Sequence, residues 1–82
     1  PMAVQVYPNP NNGLFYIKVN SKKEVNANII IYDLNGREVY NRTALVSGVM
    51  VVELRLENLG TGMYTMRLIT PEQTTIRKIV IN

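Results

Sequence analysis

Apolar and polar residues alternate with a period of two along most of the chain, which is typical of β-strands with one buried face. No segment sustains the 3.6-residue period of a helix. Aliphatic and aromatic residues on the apolar side of these runs are predicted to form the core. They are Phe15, Ile17, Val19, Ile29, Ile31, Val52, Leu54, Tyr64, Met66 and Leu68.

Turn-forming sequences separate the strand-like runs. Asn35-Gly36, shortly after Asp33, is a strong hairpin signal, because a type I′ turn needs positive φ at both central positions. Other predicted reversals are 22–24, 47–48, 60–62 and 71–73. About seven short strands at this spacing predict an all-β, immunoglobulin-like β-sandwich of mainly antiparallel strands.

The segment LGTGMY, residues 59–64, resembles the tyrosine corner of immunoglobulin-like sandwiches. In that motif the tyrosine ring is buried and its hydroxyl bonds to the backbone just upstream. We therefore interpret Leu59, Gly62 and Tyr64 as architecture rather than as ligand contacts.

The first predicted connection, VYPNPNNGLF at residues 6–15, is unusually stiff. A proline fixes its own φ and pushes the preceding residue towards extended geometry. Pro8 and Pro10 are therefore predicted to hold the residues before them, including Asn9, extended. The Asn-Asn-Gly end of the segment, which closes on Gly13, is predicted to supply the turn.

Composition argues against an enzyme. The chain of 82 residues is long enough for one domain, 1–82, and it contains no cysteine and no histidine. Ser-His-Asp and Cys-His arrangements and zinc sites built on these residues are therefore excluded. No motif pairs carboxylates for acid–base work, and no glycine-rich phosphate loop precedes a helix. We predict no catalytic residue, no metal and no cofactor.

Since composition argues against an enzyme, charge and hydropathy favour a binding or interaction module. The nine basic residues are scattered, which does not favour nucleic-acid binding, although the net charge is +3. No apolar run approaches the roughly 20 residues of a membrane helix, and the start lacks signal-peptide features. We therefore predict no direct membrane insertion, and we interpret residues 1–3 as an artificial start of a piece cut from a larger protein.

Four segments, taken in order, resemble one family. VYPNPNNGLFYIKV is similar to its Y-P-N-P-x-x-G opening, and ANIIIYDLNGREVY to its strand followed by D-x-x-G-[KR]-x-V. LENLGTGMYTMRL is similar to its L-x-x-G-x-Y-x-[VM]-x-[VIL] segment, and TTIRKIVIN to its basic-then-aliphatic last strand. From Val4 to Ile81 the chain thus resembles the type A C-terminal sorting domain of type IX secretion cargo proteins in Bacteroidota.

This resemblance implies a secretion signal fused to the C-terminal end of a cargo protein. It implies transit through the periplasm and recognition by the outer-membrane type IX translocon. It also implies removal by a sortase-like peptidase at a site upstream of Val4. The cargo is then expected on the cell surface, coupled to lipopolysaccharide, or released to the medium.

Two segments are the candidate recognition sites. The first is the stiff turn, with Pro8, Asn9, Pro10 and Gly13; the second is the last strand, with Lys78, Ile79, Val80, Ile81 and Asn82. Ile79 and Ile81 are predicted to be buried, whereas Lys78 and Asn82 are predicted to face solvent. We expect the translocon to read this strand, with its terminal carboxylate, as an accessible sheet edge. The hairpin residues Asp33, Asn35 and Gly36 are expected to be structural.

The main alternative is an extracellular fibronectin-like or carbohydrate-binding module. Sugar-binding sites present exposed aromatic faces, and Tyr16, Tyr32 and Tyr40 could form such a stripe if all three lay exposed on one sheet. Buried or scattered tyrosines would favour the sorting interpretation. A structural spacer is a third interpretation, and exposed edge strands also predict a weak homodimer.

Overall fold

The computed structural model describes residues 2–82, in which five strands form one curled antiparallel sheet. Pro1, part of the proposed artificial start, lies outside the described residues. The strands are β1 (Ala3–Tyr7), β2 (Leu14–Tyr32), β3 (Glu38–Arg55), β4 (Gly62–Ile69) and β5 (Thr74–Ile81). Nowhere in residues 2–82 is there a helix long and apolar enough to cross a membrane.

The long strand β2 organises the sheet. Its first part pairs with β1 on one side, its last part pairs with β4, and β3 follows it along nearly its whole length. Strand β5 pairs with β4. The all-β prediction is confirmed, but the strands form one continuous hydrogen-bonded sheet, and the predicted two-sheet immunoglobulin-like arrangement is not established.

The count of about seven strands is wrong, because two predicted reversals are bends inside longer strands. Ser21 pairs with Gly48 and Val25 with Val46, so three residues on β2 face a single residue on β3. A bulge of this kind bends a strand without ending its pairing. The polar sequence at 22–24 and the Ser47-Gly48 pair therefore curl the β2–β3 hairpin instead of dividing it.

The Asn35-Gly36 hairpin forms, but its turn type differs from the prediction. The Gly36 amide donates to the Asp33 carbonyl at 3.0 Å, which places Leu34 and Asn35 at the centre of the turn. Gly36 has φ 82°, whereas no residue other than glycine has positive φ in the described chain. The loop is therefore a turn followed by a left-handed glycine, a common three-residue hairpin connection, and not type I′.

The curled sheet encloses one apolar core. Every residue predicted for the core is buried except Tyr64, which is partly buried and packs against the core. Ile79 and Ile81, predicted to be buried in the last strand, are buried as well. The buried apolar side chains that the predicted core omitted are Val4, Ala27, Ile30, Val46 and Leu56. Burying aliphatic side chains of this size contributes about 1.5–3 kcal/mol each, so the inward faces of the long strands hold the curl together.

Curling also brings the two end strands of the sheet side by side. We call this line the seam: residues 2–11 run beside residues 73–82 in the same direction. Near its end Asn11 forms a parallel bridge with Ile81. The seam therefore joins the two candidate recognition segments, which lie at opposite ends of the sequence.

Candidate recognition surface

Asn9 binds the last strand through its side chain. Its Nδ2 donates to the Lys78 carbonyl at 2.7 Å, and its Oδ1 accepts the Val80 amide at 2.9 Å. An asparagine amide carries one donor and one acceptor group, so it can bond to a strand edge much as a neighbouring strand would. Asn9 therefore replaces a backbone partner for β5 at this point.

Asn11 continues the same contact with its backbone. Its amide donates to the Val80 carbonyl at 2.9 Å, and its carbonyl accepts the Asn82 amide at 2.9 Å. The Asn11 side chain is buried and shapes the loop, since its Nδ2 donates to the Pro8 carbonyl and its Oδ1 accepts the Gly13 amide. We call Asn9 and Asn11 together the asparagine clamp.

The asparagine clamp corrects the expectation of an accessible edge on the last strand. The outward amide and carbonyl of Val80 are both bonded to the clamp, and so are the Lys78 carbonyl and the Asn82 amide. An incoming strand would have to displace these bonds to pair with β5 there. What is exposed is instead a composite surface, made of the loop and the end of the strand.

The other loop residues hold this arrangement. Pro8 and Pro10 are exposed, and the peptide bonds before both are cis. Gly13 has φ 105° and its carbonyl accepts the Leu56 amide at 2.7 Å. A Cβ at Gly13 would lie 3.1 Å from the Leu56 carbonyl oxygen. Gly13 is thus required by backbone geometry and by a close approach to the end of β3.

The side chains of β5 alternate between core and surface near the asparagine clamp. Ile79 and Ile81 are buried, Val80 is partly buried, and Lys78 and Asn82 are exposed. The fully exposed side chains near the clamp are therefore polar, and the buried ones anchor the strand to the core. The side chains that this strand exposes beside Asn9 of the clamp are therefore those of Lys78 and Asn82.

Sequence reasoning placed Asn11 and Gln73 in turns, and it did not predict that they and Arg77 join the seam. Gln73 Oε1 accepts the Met2 amide at 3.0 Å, and its Nε2 donates to the Met2 carbonyl at 3.3 Å. Arg77 donates from its guanidinium to the Val4 carbonyl at 3.3 Å. Nothing local in the sequence marks these residues, since each bonds to a segment more than 65 positions away.

The residues expected to be structural make local contacts. The Tyr64 hydroxyl donates to the Gly60 carbonyl at 2.7 Å, four residues upstream, and Leu59 packs against the core. Asp33 Oδ1 accepts the amides of Asn35 and Arg37, each at 2.9 Å. The bond from the Arg37 amide is the main cause that lowers the pKa of Asp33 below its ordinary value. These contacts stabilise their own turns, and none of the three bonds involves Asn9 or Asn11 of the clamp.

The tyrosines do not form a sugar-binding stripe. Tyr16 is partly buried beside Tyr7, with ring centres 5.8 Å apart. Tyr32 lies on β2 under the Arg67 guanidinium, and Tyr40 packs against the core. This scatter favours the sorting interpretation over the carbohydrate-binding one. Among residues 2–82, no three of the His, Cys, Asp and Glu side chains cluster as a metal site would need.

The chain is thus a small all-β domain whose first loop is clamped to its last strand. The model of the secretion system C-terminal sorting domain family matches residues 5–82, and the chain belongs to this family. The resemblance to type IX sorting domains drawn from its motifs is thereby confirmed. A comparison with curated proteins gives no match.

A solved structure shares the fold. Dimeric latent PorU from Porphyromonas gingivalis superposes with a TM-score of 0.77 and 20% sequence identity. The match covers 99% of this chain and 9% of the PorU chain. At this identity the likeness shows the fold alone, and the chain spans a small fraction of the length of that protein.

Proposed function

We propose that this domain directs a cargo protein, fused to its N-terminal side, through the outer-membrane translocon of the type IX secretion system. The family match over residues 5–82 is the observation that carries the proposal. In this proposal residues 1–82 act as one signal, and the cargo passes through the periplasm before it reaches the surface or the medium. A sortase-like peptidase removes the domain upstream of Val4, and the cargo is coupled to lipopolysaccharide or released.

We further propose that the translocon reads the composite surface around the asparagine clamp. It comprises the loop residues Pro8, Asn9 and Pro10 together with Lys78 and Asn82. The bonds from Asn9 to Lys78 and Val80 support this, because they make the surface depend on two segments at once. An unfolded chain or either segment alone would not present it, so recognition also reports that the domain has folded.

The test is a fusion of a periplasmic fluorescent protein to the domain in a host with the secretion system. We expect surface fluorescence with the intact domain and periplasmic fluorescence without it. Asn9→Ala should reduce surface delivery, whereas Asn12→Ala is the matched control. Asn12 is an exposed asparagine in the same loop, and its Oδ1 accepts the nearby Leu14 amide. Periplasmic retention of the intact fusion would refute the sorting proposal.

The proposed weak homodimer is a separate matter. Strand β3 pairs only with β2, so its other edge has no strand neighbour among the described residues. Val49 and Val51 on this strand are 63% and 52% exposed. An exposed apolar edge of this kind is prone to pair with another chain. Concentration-dependent sedimentation that is abolished by Val51→Lys would support pairing through β3, and a monomer at all concentrations would exclude it.

A further inference from the structure

Two neighbouring strands carry basic residues and no acidic ones. The sequence has nine lysines and arginines and six acidic residues, a formal charge of +3. Strands β4 and β5 carry Arg67, Arg77 and Lys78 and no acidic residue. The other six basic residues equal the six acidic ones in number, so the rest of the chain taken together is formally neutral.

The acidic side chains of the fold do not neutralise these three cations. The ion pairs within residues 2–82 are Asp33–Arg37 at 3.2 Å, Glu53–Arg55 at 2.8 Å, Glu57–Arg55 at 3.8 Å and Glu72–Lys23 at 3.5 Å. All of them lie outside β4 and β5. The Arg77 guanidinium donates to the Ile76 and Val4 carbonyls, so it already has partners within the fold. Arg67 and Lys78 are the cations of these strands that remain for an external partner.

Strand register places both cations on the outer surface of the sheet with apolar neighbours. One row across β2, β4 and β5 contains Tyr32, Thr65 and Lys78, and the next contains Ile30, Arg67 and Ile76. We call the exposed or partly exposed members of these rows the β4–β5 face: Tyr32, Thr65, Arg67, Ile76 and Lys78. The opposite side of the same strands holds core residues such as Met66 and Ile79.

The details of the β4–β5 face favour a protein partner. The Arg67 guanidinium carbon lies 5.8 Å from the centre of the Tyr32 ring, so it is held against an aromatic surface. Ile76 is 54% exposed beside it. Tyrosine and arginine are enriched in protein interfaces, and an exposed aliphatic side chain adds apolar contact area.

The β4–β5 face is also continuous with the composite surface around the asparagine clamp. Lys78 belongs to both, because its carbonyl accepts Asn9 Nδ2 while its side chain stands in the row with Tyr32. A partner that contacts the loop of the clamp can therefore extend across Lys78 to Arg67 on the neighbouring strand β4. Opposite charge on such a partner would accelerate the encounter and fix its orientation.

We propose that the β4–β5 face binds an acidic protein surface of the export machinery, through Arg67 and Lys78 as cations and Tyr32 and Ile76 as apolar contacts. This inference rests on the proposed function. It extends the contact area from the composite surface, with which it shares Lys78, to Tyr32, Arg67 and Ile76, and it assigns the partner a negative charge.

The test uses the fluorescent fusion with three double variants. Arg67→Glu with Lys78→Glu reverses the charge of the face, and Lys18→Glu with Lys22→Glu makes the same change in net charge elsewhere. Lys18 and Lys22 are exposed, and neither is within an ion pair of the described chain. Arg67→Lys with Lys78→Arg keeps the charge. We expect surface delivery to fall about tenfold in the first variant and to stay near the unmodified level in the other two.

Thermal unfolding of the isolated variants separates misfolding from lost recognition. If the charge reversal lowers the Tm, the neutral pair Arg67→Gln with Lys78→Gln repeats the test without new carboxylates, and we expect an intermediate loss of delivery. Normal delivery of a folded reversed or neutral variant would overturn the inference and leave the sorting function intact. Equal loss in the Lys18 and Lys22 variant would overturn it too, because net charge would then be the cause.

Anionic vesicles distinguish a lipid surface from a protein. The isolated domain is sedimented with phosphatidylglycerol vesicles and with neutral phosphatidylcholine vesicles. We expect the same fraction of the domain to pellet with the anionic vesicles as with the neutral ones. Pelleting that depends on Arg67 and Lys78 would assign the face to a lipid surface and refute the protein partner. Periplasmic retention of the unmodified fusion would refute the proposed function, and this inference with it.

Discussion

Replacing Asn9 with alanine tests whether the asparagine clamp holds the last strand. The change removes the bonds from Asn9 to the Lys78 carbonyl at 2.7 Å and from the Val80 amide at 2.9 Å. A hydrogen bond contributes about 0.5–1.5 kcal/mol net. Because both backbone groups lie at an exposed site and can bond to water instead, we expect a loss of about 1–2 kcal/mol. For a domain of this size that lowers the Tm by roughly 5–15 °C.

Amide hydrogen exchange locates the effect. In Asn9→Ala the Val80 amide should lose its protection, whereas Ile79 and Ile81 should keep theirs, since their register partners lie on β4. Asn12→Ala is the control, because it removes one bond within the loop and none to β5. That control should leave the exchange of Val80 unchanged.

Two results would contradict this reasoning. An unchanged exchange rate at Val80 in Asn9→Ala would show that the side chain does not protect the edge of β5. Equal loss of protection along all of β5 in both variants would show that the loop acts by general stabilisation and not through the clamp.

Three further predictions concern the turns. Tyr64→Phe should cost about 0.5–1.5 kcal/mol in denaturant unfolding through loss of its bond to the Gly60 carbonyl, and an unchanged midpoint would argue against a tyrosine corner. Gly13→Ala should destabilise more than Gly60→Ala, because only Gly13 combines positive φ with a close backbone contact; equal unfolding curves would refute this. NMR titration of Asp33 should give a pKa below 3.8, since the Arg37 amide bonds to the ionised carboxylate. The stability it contributes is then complete above pH 3.8 and is lost as the pH falls through the lowered pKa, and a pKa of 3.8 or higher would contradict the contact.

The sequence alone determined the strand class, most of the core and the family. Alternation with a period of two is a local property, so Phe15, Ile17 and Leu54 could be assigned to the buried face without knowing their partners. Turn chemistry located the hairpin at Gly36 for the same reason. The turn type was predicted wrongly because the sequence Asn-Gly is compatible with two hairpin loops. A type I′ turn needs positive φ at both residues, whereas the three-residue loop found here needs it at Gly36 alone.

Tertiary structure decided the strand count and the candidate site. Whether a polar stretch such as 22–24 ends a strand or bulges within it depends on what the opposite strand offers, which here is Gly48. The asparagine clamp joins Asn9 to Val80, 71 positions apart. Bonds of that range form only when the β-sheet curls and buries its apolar face, so no local pattern in VYPNPNNGLF could reveal that its asparagines bind the last strand.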